Sequence, residues 1–476
     1  MSESTRNAFL FQSASGHEVH VAFDGGHLTS DGGALLLAEV ERSTGVLRQL
    51  AGCFTDHRDP DRIEHTAYQL LAQRVYGLAL GYDDLNDHDT LRFDPLLATL
   101  VGKHDPLGQR RAPRDHGKGL AGKSTLNRLE LTPPDATAAA RYKKVVADPG
   151  AIEQLFLDVF VQAHPTPPAR LVLDLDATDD PLHGQQEGRF FHGYYREYCY
   201  LPLYIFCGDH LLGAKLRTAD HGAAWGALEE LQRVVAHLRR AWPQVRILVR
   251  GDADFCQDAI MTWCEDHGVD YVFGLAPNAR LLAASSREMD LACIRYLSCG
   301  VPCRVYADFR YRTLKSWSRA RRVVAKAEYL PGGPNPRFVT TSLADTERPG
   351  QAVYEQDYCN RGDTENRIKE QKLDLAAGRT STSQLRANQL RLWFSAIAYV
   401  LVSALRRLGL GGTALAFGQC GTLRQKLLKI GGLVRVTARR VWVSLSSAWP
   451  FRDVFARAHA ALRQLPTAVV PVPLRC

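Results

Sequence analysis

The fold of this chain turns on the stretch Leu171-Val-Leu-Asp-Leu-Asp176. Side chains alternate across a strand with a period of two, so Asp174 and Asp176 share one face and the leucines share the other. Upstream, to about Pro168, apolar residues recur at helical spacing around Leu35 to Leu50 and Ala67 to Leu80. From Ala169 the pattern changes. Tyr198 to Phe206 and Leu211 to Leu216 read as a hairpin around Cys207-Gly-Asp-His210, and Ala223 to Trp242 as an amphipathic helix. A strand at Arg246-Ile-Leu-Val-Arg250, a helix at Ile260 to His267 and a strand at Tyr271-Val-Phe-Gly-Leu275 follow. Three antiparallel strands followed by helix, strand, helix and strand predict an α/β fold with a mixed sheet.

Acidic residues cluster where such a sheet gathers ligands. Asp252 and Asp254 follow the Arg246 to Arg250 strand at its C-terminal end. A third acid lies in Tyr358-Cys-Asn-Arg361-Gly-Asp-Thr-Glu365, which continues to Lys372. At about 100° per helical residue from Tyr358, Arg361, Glu365 and Lys372 fall at about 300°, 340° and 320°, on one narrow face. Asp363 and Glu370 fall at about 140° and 120°, so Glu365 is the acid that meets the cations. Two strand-borne acids and one helix-borne acid can converge on two divalent metals about 3.5–4 Å apart, the arrangement that activates water and stabilises a leaving oxygen. Arg361, Lys372 and the Tyr358 hydroxyl would grip the phosphates of a strand brought there. That is phosphodiester chemistry on nucleic acid.

Composition agrees. The 476 residues exceed a single core, and 45% hydrophobic with 23% charged residues describes a globular chain. The net charge of +8 is uneven: from Arg361 onward 19 Lys/Arg stand against 5 Asp/Glu, a net +14 that leaves −6 for the rest. A late basic surface suits a polyanion. The N-terminal Met-Ser-Glu-Ser-Thr-Arg lacks the pattern of a secretory signal, which points to a cytoplasmic protein. Leu392 to Leu405 is shorter than a membrane helix requires and is flanked by Arg391, Arg406 and Arg407, so a buried core helix and no membrane partner are expected. Eleven unpatterned cysteines suit reduced thiols. Cys299 and Cys303 form the one close pair, without the further ligands of a zinc site.

Other motifs carry less. The acidic clusters at Asp56 to Asp61 and Asp83 to Asp89 lack EF-hand spacing and read as loops and helix caps. Gly117-Lys-Gly-Leu-Ala-Gly122-Lys123-Ser124 matches the Walker A pattern, but the polar residues and Pro113 before it cannot form the buried strand of a P-loop. A basic loop touching DNA backbone, with Ser124 or Thr125 capping the next helix, is the preferred reading over an ATPase. Between Pro277 and about Ala352, alternation at Val305 to Arg312 and the run Lys315, Trp317, Arg319, Arg321 and Arg322 suggest a largely β segment. It would either contact DNA or form an ordinary amphipathic sheet.

Taken together, Tyr358, Arg361, Glu365 and Lys372, with Asp176-Ala-Thr178 and Arg250-Gly-Asp252-Ala-Asp-Phe255, give the chain a specific likeness. From roughly Leu171 to Arg407 it resembles the DDE transposases of bacterial insertion sequences, in the group marked by a Tyr-x-x-Arg-x-x-x-Glu-(six residues)-Lys signature. The resemblance implies a ribonuclease-H-like catalytic domain over about 169–410 with a β-rich insertion at about 277–352. A mostly helical DNA-binding or dimerisation domain at 1–168 and a basic region at 411–476 would flank it. It also implies Asp176, Asp252 and Glu365 as catalytic metal ligands for two Mg²⁺ ions, with Mn²⁺ as a substitute, and Tyr358, Arg361 and Lys372 as phosphate-binding support. The implied partners are double-stranded DNA, as terminal inverted repeats and as target, and a second copy in a homodimer associated with the nucleoid. A metal-dependent nuclease without strand transfer is the alternative, and the P-loop ATPase a more distant one.

Overall fold

The computed structural model describes residues 9–13 and 15–470. The chain forms two compact units, one of Gly150–Leu373 with Ala377–Ala396, the other of Met1–Pro149, Asp374–Ala376 and Ile397–Cys476.

The first of these units is built on a mixed sheet. Its strands are β1 (Arg170–Ala177), β2 (Leu203–Cys207), β3 (His210–Lys215), β4 (Arg246–Gly251), β5 (Asp270–Leu275), β6 (Cys303–Tyr311), β7 (Arg321–Leu330) and β8 (Arg337–Thr341). They lie in the order β3-β2-β1-β4-β5-β8-β7-β6. β2 is antiparallel to β1 and β3, β4 is parallel to β1 and β5, and β8 returns antiparallel to β5. The period of two in β1 sets its two faces. Leu171, Leu173 and Leu175 pack with Ile247 and Val249 against Leu231, Val234 and Leu238 of α1 (Ala227–Ala241). Each such leucine contributes about 1.5–3 kcal/mol by leaving water. The opposite face carries Leu248, Val272 and Val339, and on it lie Asp174 and Asp176.

Residues 277–352 contain the helices Ala279–Ala284 and α2 (Ser286–Cys299) before β6, β7 and β8, which continue the main sheet past β5. Three residues of the basic aromatic run are interior, which removes the DNA-stacking reading for Trp317, Arg321 and Arg322. Trp317 is buried with the Arg321 guanidinium 5.6 Å from its ring, Arg321 pairs with Asp258 and Glu265, and Arg322 pairs with Asp308. The sequence placed these cations on a strand but could not reveal the carboxylates opposite them.

The second unit is mostly helical in its first part, with Leu35–Thr44, Val46–Gly52, Ala67–Ala79 and Lys123–Glu130. The chain's last segment joins it: Gly432–Val436 pairs with His27–Thr29, and Arg42 donates to the Leu462 carbonyl at 2.7 Å beneath the helix Arg452–Gln464. Residues 411–470, expected as a basic region flanking the catalytic domain, therefore share the hydrogen bonding of the N-terminal segment. Asp59 and Asp84 cap short helical turns, as the acidic-cluster reading held. The Walker-like loop leads into its helix from a 3₁₀ turn at Pro113–Asp115, with no strand before it. Neither Ser124 nor Thr125 caps that helix. Gly122 is the N-cap, and Asp89 Oδ1 accepts from Lys123 N at 3.1 Å instead. The apolar helix Leu385–Gly409 is long enough to cross a membrane, but its apolar window is largely buried within the protein.

Candidate active site

The C-terminal end of β1 delivers Asp176 to the sheet edge, where its backbone neighbour on β2 is Tyr204. Its Oδ1 accepts from Ala177 N at 2.9 Å and its Oδ2 from Arg361 Nη1 at 3.1 Å. The side chain is buried, and burial pushes its carboxyl up to about 6. The charges of Asp252 and Glu365 add to that shift, and the Arg361 guanidinium opposes it. Asp252 follows β4 directly and caps the turn Ala253–Phe255, its Oδ1 accepting from Asp254 N at 2.9 Å. Glu365 lies on α3 (Gly362–Lys369), with its Oε1 3.4 Å from Arg361 Nη2.

Asp176, Asp252, Glu365, Arg361 and Lys372 line one cavity of about 440 Å³. Tyr358 lies outside that lining but close enough to Arg361 and Asp252 to feel both charges, although burial is the main reason its hydroxyl is harder to ionise. All six residues singled out from the sequence are thus brought to one place. They do not form a single coordination sphere: among the described residues no three His, Cys, Asp or Glu side chains stand close enough to hold one ion. The counter-charge between Asp176 and Glu365 is Arg361. The donor set is nonetheless all carboxylate oxygen, the chemistry that suits hard divalent cations.

The helix that carries Glu365 departs from the uniform 100° assumed for it. A π-helical turn spans Val353–Tyr358, a 3₁₀ turn Cys359–Arg361, and a second π-helical turn Glu370–Asp374. Such insertions cluster at functional sites. Lys372 is more than a cation at the wall. Its Nζ donates to Thr178 Oγ1 at 3.2 Å, to the Asp179 carbonyl at 2.5 Å and to Asp179 Oδ1 at 3.3 Å, tying down the loop that follows Asp176.

Sequence reading missed three supports. Arg250 grips Asp174 through two bonds of 2.6 and 2.7 Å and donates to the Asp357 carbonyl at 2.7 Å, joining β1, β4 and the segment before Tyr358. Arg348 pairs with the Asp357 carboxylate at 2.7 Å. Gly274 on β5 leaves room for Tyr358: a Cβ there would lie 2.6 Å from the Tyr358 hydroxyl and 3.0 Å from Ala253 N. A glycine inside an apolar strand was the available signal, since it marks a close approach.

Comparison with known proteins fixes the class. Residues 11–467 match the family described as transposase DDE domain group 1, and the chain belongs to that family. It is a DNA transposase, an enzyme of metal-dependent DNA cleavage and strand transfer that uses divalent ions. A cryo-EM structure of the piggyBac transposase synaptic complex with hairpin DNA is similar at 9% identity and a TM-score of 0.39, over 93% of this chain and 87% of that one. No curated protein matches significantly.

Proposed function

We propose that the chain is a cut-and-paste insertion-sequence transposase of the Tyr-Arg-Glu-Lys group, and that Asp176, Asp252 and Glu365 are its catalytic acids. The observation that carries this reading is the shared cavity: three acids from β1, from the turn after β4 and from α3 face one space beside three cations, Arg361, Lys369 and Lys372. The strand order β3-β2-β1-β4-β5, three antiparallel strands and then two parallel ones, supports a ribonuclease-H-like core. The three carboxylates would hold two Mg²⁺ ions, or Mn²⁺ in their place, and bound ions would activate the attacking hydroxyl and stabilise the leaving oxygen.

The protein's own groups do the rest. Arg361, which pairs with Asp176 and Glu365, would be available to pair with a phosphate oxygen if divalent ions held those carboxylates. Lys372 fixes the loop after Asp176 and adds positive charge to the wall, and the Tyr358 hydroxyl donates to the same phosphate. The DNA would be the terminal inverted repeats and then the target, held by a homodimer at the nucleoid.

Glu365→Gln removes one charge and keeps volume and helix propensity. The expected result is cleavage reduced by at least about 10³-fold, with DNA affinity and melting temperature unchanged. Cleavage near the wild-type rate would remove Glu365 from the mechanism.

A further inference from the structure

Cys299 and Cys303, the close pair in the sequence, come together where α2 ends and β6 begins. Their sulfurs stand 3.3 Å apart. A disulfide bond is about 2.05 Å long, so a further approach of about 1.2 Å would join them. The bend between them is set by Gly300, which closes α2 at a left-handed φ of 69° with its N–H donating to the Tyr296 carbonyl at 2.8 Å. Both sulfurs also lie against the Val301 carbonyl, at 3.5 and 3.3 Å. The turn thus already brings the two side chains face to face.

Both thiols are open to attack, Cys299 being exposed and Cys303 half-buried. Hydrogen bonding to the Val301 backbone, and then to Cys303, holds the Cys299 thiol below its ordinary value. The same contact, seen from its other end, holds Cys303 above. Cys207, Cys256 and Cys264 contrast with Cys299, since burial pushes each of them up to about 12, where almost no thiolate forms at neutral pH.

A cleft of about 520 Å³ adjoins the pair, and its walls include Arg295, Pro302, Arg304, Tyr306, Gln351 and Glu355. Arg304 is engaged by Glu328 at 2.6 Å and by Glu355 at 3.8 Å. Arg295 makes no ion pair with a described residue, and its charge reaches Cys303. A free guanidinium beside two thiols fits a small molecule that carries both a disulfide and a carboxylate.

We propose that Cys299 and Cys303 are a site of thiol–disulfide exchange whose substrate is a low-molecular-weight disulfide bearing carboxylates, held by Arg295. The site is separate from the catalytic cavity and does not rest on its assignment. Cys299, as thiolate, attacks one sulfur of the substrate, whose S–S bond breaks, and the first thiol leaves with the proton that Cys299 gave up. Cys303 then attacks the Cys299 sulfur of the mixed disulfide, and the second thiol leaves with the Cys303 proton. The protein gives two electrons and two protons to a substrate that becomes two thiols, and excess thiol reverses the reaction. So short a loop gains little from closure, which keeps the bond easily reduced.

The test uses the full chain, reduced and then exposed to excess glutathione disulfide, with free thiols alkylated before tryptic digestion. Peptide 296–304 carries both cysteines and no other. In the wild type it is expected to appear unalkylated and lighter by two hydrogens. Cys303→Ser should trap the glutathione adduct on Cys299, and Cys299→Ser should slow adduct formation on this peptide by at least about tenfold. Arg295→Ala, read by tandem mass spectrometry on the longer peptide 288–304, should slow reaction with glutathione disulfide by about two- to fivefold. Its reaction with the uncharged bis(2-hydroxyethyl) disulfide should match the wild type. A wild-type peptide that stays doubly alkylated would overturn the proposal, as would a Cys299→Ser chain that reacts as fast as wild type. Equal rates for Arg295→Ala and wild type with glutathione disulfide would overturn the choice of substrate.

Discussion

Asp174 and Asp176 lie two residues apart on one face of β1, and their surroundings give them opposite work. Asp174 is enclosed with Arg250 in a bidentate pair, so Asp174→Asn leaves a buried guanidinium without its counter-charge. The expected cost is about 3–5 kcal/mol, read as a lower urea midpoint. Asp176 is a carboxyl that burial pushes up to about 6 from 3.8. A carboxyl whose pKa is raised on folding stabilises the fold in its protonated form, and that contribution is lost as pH rises through about 6. At pH 7.5 without divalent metal the ionised group is therefore a cost. Asp176→Asn should leave the midpoint equal to or above wild type while cleavage disappears. Equal destabilisation by the two substitutions would erase the distinction between a structural and a catalytic acid.

At the scale of elements, the site depends on how closely β5 approaches the turn after β4 and the segment before α3. Gly274→Ala adds one methyl where the Tyr358 hydroxyl is 2.6 Å away and the backbone of Asp252 and Ala253 is 3.0–3.2 Å away. Because the near atoms include backbone, the turn that carries Asp252 must move. A displacement of even about 1 Å at the chemistry costs about 10²-fold in rate. Gly274→Ala is expected to lose cleavage by about that factor with a stability loss of only about 1–3 kcal/mol, and unaffected turnover would show the turn to be compliant. The strands themselves were legible because a period of two and buried leucines specify them, and so were Asp176 and Asp252 as strand-end residues. The Glu365 helix was legible in its charges but not its path, since no local pattern encodes its two π-helical turns. For the same reason the run through Trp317 and Arg321 left DNA contact and an ordinary amphipathic sheet equally open. Burial and partners such as Asp258 and Glu265 lie more than fifty residues away in the chain.

In the whole molecule, composition announced a polyanion partner, but it did not reveal where stability is exposed to acid. Two imidazoles of the N-terminal unit answer that. His88 is fully buried, with Gln73 Nε2 donating to its Nδ1 at 3.1 Å, and burial drives its pKa down to about 3. His65 is also buried and is pushed to about 3, first by desolvation and then by the nearby charges of Lys103 and Arg111. A histidine whose pKa falls on folding contributes stability that is complete above its unfolded value of 6.5 and is lost as pH falls toward 3. Each loses about 1.4 kcal/mol per pH unit below 6.5, so the pair should cost about 3 kcal/mol by pH 5.5. That is a large share of the about 5–15 kcal/mol that holds a typical domain together. Urea midpoints measured from pH 7.5 to 5.5 should fall steeply in the wild type. The fall should be shallower in the doubly substituted His65→Gln, His88→Gln chain, even if that chain is less stable at pH 7.5. Parallel pH profiles for the two proteins would show that these rings remain uncharged in neither state or both, and would refute the assignment.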